Sequence, residues 1–213
     1  MLRRPAPTAV TLLWHGRGPD EAHVLSRLAA ALYADGHTVV TPNWDAGAAD
    51  GGAARLTASL AQSAALAAEH SRPLVVVGWS LGGTAALSLA LAPGTLPGSA
   101  AVVGLAADVR EHSPLDGTVL ADRVRQGIDA RPIHLVHGLH DPVVPAADTE
   151  EFAEACRTAG VACSLTLVES DHAGVIGTEY DARSGTCVPG DGPAATTGLA
   201  AALEAIRAAV AEP

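Results

Sequence analysis

The sequence predicts an α/β fold: a parallel sheet of about six strands with helices packed on both faces. Three observations carry this reading. Short runs rich in Val, Leu and Ile alternate with longer stretches of helical spacing along the chain, the pattern of repeated βαβ units. The run LVVV at 74–77 is apolar without alternation, as in a strand covered on both faces. Glycine-rich or polar turns follow several of these runs, at the carboxyl ends of strands, where open parallel sheets bind ligands.

Taken in order, residues 8–14 form the first strand, and HGRG follows at 15–18. Pro19 and Asp20 open a helix with Val24, Leu25, Leu28 and Leu32 on one face, ending at Asp35 and Gly36. Residues 37–41 are a short strand stopped by Pro42, and a loop with Trp44 and Asp45 leads to a helix over 55–70, striped by Leu56, Leu60 and Ala64. The third strand runs into GWSLG and a small-residue helix over 81–92, which Pro93 and Gly94 end. Residues 100–105 are the fourth strand. The mixed, polar segment 107–131 carries a short helix around 119–125. A fifth strand, 133–136, enters HGLHDPVVP; a helix over 148–158 stops at Gly160; a sixth strand, 163–168, enters ESDHAGV. Residues 177–193 are rich in Gly, Pro and charge, and Tyr180 and Val188 flank a turn-like ARSG that reads as a β-hairpin. A last helix repeats Leu199, Leu203, Ile206 and Val210 at helical spacing. No repeat or linker divides the chain, so residues 1–213 read as one domain.

Composition excludes several functions. Net charge is −10, and the only basic cluster is Arg3-Arg4, which argues against nucleic acid and anionic membranes as partners. No apolar run reads as long as a membrane span. Arg3 and Arg4 are followed by Pro5 and Pro7 instead of an apolar signal core. Three cysteines, Cys156, Cys163 and Cys187, lack metal-type spacing; reduced thiols in a cytoplasmic protein are the expectation. Aromatic residues make up 3% of the chain, so Ala, Val and Leu do the packing.

The chemistry concentrates at GWSLG. A G-x-S-x-G between a strand and a helix needs glycines two positions either side of the serine, because the turn leaves no room for Cβ atoms there. Ser80 is thereby held above the sheet at a helix N-terminus, where free N–H groups can bind developing negative charge. A serine hydroxyl needs a base, and the base needs a carboxylate to orient it. His172, in the loop after the sixth strand, is the base expected, and Asp141, in the loop after the fifth, the carboxylate. Asp171 adjoins His172 and Asp108 follows the fourth strand, as rivals to Asp141. His134, His137 and His140 suggest a metal cluster, but His134 and His137 should face opposite sides of a strand, and these histidines read as structural. Two N–H donors are needed for an oxyanion. Leu81, next after Ser80, supplies one; Arg17, between Gly16 and Gly18, supplies the other.

On HGRG, GWSLGG, HGLHDPVVP and SDHAG, in that order and each after a strand, the chain resembles a small α/β-hydrolase over nearly its whole length. The resemblance implies a sheet order of 2-1-3-4-5-6, a nucleophile, acid and histidine after the third, fifth and sixth strands, and no cofactor or metal. The chain starts at the HG-bearing strand, without the antiparallel hairpin of larger members, and 107–131 is too short for a lid domain. The compact carboxylesterase-like and dienelactone-hydrolase-like members are the most similar. Dienelactone hydrolases proper use a cysteine nucleophile, from which Ser80 departs. The expected function is a serine hydrolase acting on a small ester, thioester or lactone through an acyl-enzyme, with a small-molecule acyl substrate as its partner. Acyl transfer and a non-catalytic binding module on the same fold are the alternatives. Gly16, Trp79 and Tyr180 are expected to touch substrate, and the Arg17 side chain would favour acidic substrates if it reached the pocket.

Overall fold

The structure, a computed structural model, describes residues 8–92, 94–97, 100–126 and 130–211. Arg3, Arg4, Pro5, Pro7 and Pro93, which the sequence reading used, lie outside the described residues. Six parallel strands form one sheet: β1 (Val10–Trp14), β2 (Thr38–Val40), β3 (Leu74–Trp79), β4 (Ala100–Leu105), β5 (Ile133–Gly138) and β6 (Cys163–Val168). Their order is β2-β1-β3-β4-β5-β6, as the resemblance implied. The helices are α1 (Ser26–Ala34), α2 (Ala53–His70), α3 (Leu81–Ala90), α4 (Leu120–Arg125), α5 (Ala146–Thr158) and α6 (Pro193–Ala211). Among the described residues, the segment between β4 and β5 carries one short helix, α4.

Alternate residues of the central strands feed two separate cores. Leu12, Trp14, Leu74, Val76, Val102 and Leu135 pack on one face with α2, α3 and α5. Leu13, Val75, Val77, Val103 and Val136 pack on the other with α1 and α6. This two-sided burial explains why β3 reads as an unbroken apolar run. Edge strand β6, by contrast, alternates between half-buried and exposed residues.

Where the structure departs from the sequence reading, local chemistry explains it. The first helix opens as a 3₁₀ turn over Ala22–Leu25 before α1 begins. In α6 the residues turned fully inward are Ala195, Gly198, Ala202, Ile206 and Ala209, with Leu199, Leu203 and Val210 on the flanks. Small residues face the sheet because the helix sits so close: a Cβ on Gly198 would stand 2.3 Å from the Gly174 carbonyl oxygen. At 19 residues and a mean hydropathy of 1.3, α6 does reach the length and composition of a membrane-crossing helix, which the sequence reading had found in no run. Its inward stripe packs on the sheet and on the turn at Gly174–Ile176. The predicted hairpin forms: β7 (Thr178–Asp181) pairs antiparallel with β8 (Thr186–Pro189), and Gly185 takes a φ of 69° in the turn.

Two features fix the site's frame. Register sets Gly78 between Trp14 and Gly104, so β3 and its neighbours end at one level. The loop after β1 is then fastened by His15, which is fully buried and stacked on Trp44 at 5.4 Å. Its Nδ1–H donates to the Gly16 carbonyl at 3.0 Å, and its Nε2 accepts the Trp44 N–H at 3.2 Å. The bond accepted from Trp44 needs the neutral ring. Burial lowers the His15 pKa from 6.5 to about 4.

Two predictions follow from this frame. A Cβ on Gly82 would lie 2.3 Å from the His15 carbonyl oxygen; backbone on both sides cannot yield, so Gly82→Ala should cost about 3 kcal/mol or more. Urea unfolding reads this directly. His15 takes up a proton near pH 6.5 when unfolded but only near 4 when folded. Its contribution is therefore complete above pH 6.5 and lost as pH falls toward 4, a loss on the order of 3 kcal/mol at most. Replacing it by glutamine should lower stability at pH 7 yet flatten the decline from pH 7 to 4.5, and an equally steep decline would contradict the assignment.

Candidate active site

The turn from β3 to α3 holds Ser80 at φ 55° and ψ −124°, one of four non-glycine residues with positive φ among those described. Such a conformation costs about 1–3 kcal/mol and persists only when its surroundings enforce it. Here they do. The Ser80 N–H donates to Leu105 O at 3.0 Å, and Ser80 O accepts the N–H groups of Gly83 and Thr84 at 2.9 and 3.2 Å. A Cβ on Gly78 would meet Gly82 O at 2.0 Å, so both glycines of G-x-S-x-G are required by packing. Ser80 itself is half-buried.

Asp141 stands in the loop after β5. Its side chain is fully buried, and Oδ1 accepts the N–H groups of Val143 and Val144, both at 2.8 Å. Oδ2 accepts Nδ1–H of His172 at 2.7 Å. Burial alone would raise the Asp141 pKa, but hydrogen bonds from His137 and His172, the His172 charge and the Val144 N–H outweigh it and hold the carboxyl well below the usual carboxylate range. The structure thus joins His172 to Asp141, not to its rivals. Asp171 turns its carboxylate to the Gly174 N–H at 2.7 Å. Asp108 lies beside α3, its carbonyl taking the Thr84 hydroxyl at 2.7 Å, and burial, with the Glu111 charge adding to it, raises the pKa of its carboxyl.

His137 is the residue that sequence reasoning passed over. The sequence reads it, with His134 and His140, as structural. His134 does bond to the Ser164 hydroxyl at 3.0 Å. His137, completely buried, instead sits against the Asp141 carboxylate. Thr149 donates its hydroxyl to Nδ1 at 2.8 Å, because the ring's proton sits on Nε2, which faces two acceptors. That proton is shared between Val144 O at 2.9 Å and Asp141 Oδ2 at 3.1 Å. The spacing HGLHD puts a strand-end histidine four residues before the acid, a signal available in the sequence.

Trp79 ties the serine turn to the histidine loop. Its indole N–H donates to His172 O at 2.8 Å, and its ring lies 5.1 Å from the imidazole. The other side of the turn meets the loop after β1: a Cβ on Gly16 would lie 3.3 Å from Ser80 Cβ. Leu81 begins α3, with its N–H among the unpaired donors of a helix start. Arg17 follows Gly16 in this loop. Its guanidinium points outward and pairs with Glu111, away from the role in acid recognition considered above. Tyr180, on β7, is 66% exposed and borders a cavity that Trp79 and His172 also line.

Comparison with known proteins places the chain's fold and family. The profile of the dienelactone hydrolase family matches residues 21–180. No curated protein sequence matches the chain. Among solved structures, a thermophilic esterase from the planctomycete Thermogutta terrifontis, Est2 with propionate bound, superposes with a TM-score of 0.70 at 19% identity, over 96% of this chain and 85% of that one. The same esterase phosphorylated by paraoxon gives 0.66 at 18% identity, over 94% and 83%. A proposed dienelactone hydrolase of Klebsiella pneumoniae gives 0.67 at 18% identity, over 99% and 88%. The fold is that of the α/β-hydrolases, and the chain, a hydrolase, belongs to the dienelactone hydrolase family.

Proposed function

We propose that the protein is a serine esterase that cleaves a small ester, thioester or lactone through an acyl-enzyme, with Ser80 as nucleophile, His172 as base and Asp141 as its orienting acid. The observation that carries the reading is the His172–Asp141 bond of 2.7 Å, on a loop that the Trp79 indole N–H ties to the strained strand-to-helix turn of Ser80. With Nδ1–H committed to Asp141, the Nε2 lone pair is free to accept a proton. His172 takes the Ser80 proton as Oγ attacks the carbonyl carbon. The resulting oxyanion takes N–H bonds from Leu81 and Arg17, and preorganised donors of this kind are worth about 3–4 kcal/mol each. Asp141 stabilises the imidazolium while staying ionised itself, as its low pKa supports. The imidazolium returns its proton to the leaving alcohol, thiol or ring oxygen. A water, deprotonated by His172, then attacks the acyl carbon, and collapse of the second tetrahedral intermediate frees Ser80. Neither cofactor nor metal takes part in this scheme. The free thiols of Cys156, Cys163 and Cys187 fit a reducing compartment, and we place the enzyme in the cytoplasm on that ground.

A fluorophosphonate probe should label the wild-type protein and not Ser80→Ala; labelling that survives the substitution would overturn the assignment. Ser80→Ala and His172→Ala should each lower kcat for an activated ester by roughly 10⁴–10⁶-fold, and the double variant should be hardly worse than either, because the groups act as a unit. Asp141→Asn should lose about 10⁴-fold in kcat, whereas Asp108→Asn should stay near the wild-type rate. Reversed results for these two carboxylates would move the acid to the end of β4.

A further inference from the structure

Beyond His172 the site continues into a cavity of about 350 Å³, toward the small end of the ~300–1,000 Å³ range of small-molecule pockets. Trp79 and His172 form one part of its wall. The hairpin forms another, through Tyr180, Thr186 and Cys187, and Val143 adds to it from the Asp141 loop. Tyr180 and Val143 are 66% and 65% exposed, so two large apolar side chains border the same opening.

The path of the proton decides which end of a substrate belongs here. The leaving oxygen must lie against His172 to receive its proton, whereas the carbonyl oxygen must point toward the N–H groups of Leu81 and Arg17. Of the three proposed catalytic side chains, His172 is the one that lines the cavity. The charges on the wall are of one sign. Glu21 and Asp171 contribute carboxylates, and no arginine is among the lining residues. Glu21 is tucked against the loop after β1, where a Cβ on Gly18 would overlap its carboxylate at 2.0–2.3 Å. Burial raises the pKa of the Cys187 thiol, and the nearby charges of Glu21 and Asp171 raise it further, against a hydrogen bond to Thr178.

We infer that this hairpin-walled cavity is the leaving-group pocket, and that it selects esters of an apolar, uncharged or cationic alcohol over esters of an alcohol carrying a carboxylate. The inference rests on the serine esterase reading. The chemistry is that of an apolar slot with an anionic rim: an apolar ring or chain gains burial there, a cation gains attraction, and an anion meets two like charges in a partly desolvated space.

Steady-state kinetics with two ester series tests it, each rate normalised to alkaline hydrolysis. In the alcohol series the acyl group is acetyl and the alcohol is methanol, phenol, 3-hydroxybenzoate or 3-hydroxy-N,N,N-trimethylanilinium. In the acyl series the alcohol is phenol and the acyl chain runs from acetyl to hexanoyl. Wild-type kcat/KM should be about tenfold or more lower for the carboxylate ester than for phenyl acetate, with the cationic ester at least equal to phenyl acetate. Thr186→Trp, which fills the slot, should lower the phenyl-to-methyl ratio about tenfold while the acyl ranking stays as it was. Tyr180→Ala, at an exposed position, should lower the same ratio and stands in if the tryptophan variant does not fold. Glu21→Gln should raise the carboxylate-to-neutral ratio about three- to tenfold at low salt. An unmoved alcohol ratio, or a change confined to the acyl ranking, would overturn the inference. Failure of the esterase reading looks different: no fluorophosphonate label and no turnover of any ester. Phenol titrated into the wild-type and Thr186→Trp proteins would then decide the pocket alone, since binding lost in the variant supports it and equal or absent binding overturns it.

Discussion

The structure depends on one constraint, the absence of side chains where β3 turns into α3. Gly78 and Gly82 approach backbone so closely that Cβ atoms would stand 2.0 and 2.3 Å from carbonyl oxygens. That closeness forces Ser80 to a φ of 55°. The strain is local, about 1–3 kcal/mol, and it is offset by burial on both faces of the sheet. β1, β3, β4 and β5 are buried at every residue. A turn this tight is stable because the strand before it and the helix after it cannot relax independently.

A second constraint is electrostatic. Burying the Asp141 carboxylate without partners would cost several kcal/mol and drive it toward the neutral acid. Two backbone N–H groups and two histidines reverse the balance. His137 has a particular place in this. Its Nε2 faces only acceptors, the carboxylate and Val144 O, and so carries the proton, while Nδ1 accepts the Thr149 hydroxyl. The α5 helix that carries Thr149 is thereby linked to the orientation of His172. On the far side, α6 braces the histidine loop: the Ser170 hydroxyl donates to Ala194 O at 2.9 Å, and Gly198 leaves room for Gly174.

Much of this was legible in the residues because local rules and the fold agree. The unbroken LVVV of β3, the paired glycines around Ser80 and the strand-end loops bearing Asp141 and His172 each announce their position, and the hairpin at 178–189 follows from its turn residues. What was not legible depends on tertiary approach. The inward face of α6 uses mostly Ala and Gly because the helix lies against the histidine loop, a distance no periodicity encodes, and the larger leucines lie on the flank. The four-residue spacing of His137 and Asp141 stands in the sequence, but not the fold-back of the loop that brings the two into contact. The outward turn of the Arg17 guanidinium depends on Glu111, ninety-four residues later.

Ser80 departs from the cysteine that the resemblance ascribes to dienelactone hydrolases proper, so the covalent step is the point on which the account stands or falls. The most direct measurement is mass spectrometry of the protein quenched with acid milliseconds after mixing with p-nitrophenyl acetate, followed by peptide mapping. The account predicts a transient gain of one acetyl group per chain, carried on Ser80, formed with the burst of p-nitrophenol and lost as turnover proceeds. Steady turnover with no adduct on Ser80, or an acetyl group that accumulates on a cysteine and decays at the turnover rate, would contradict it.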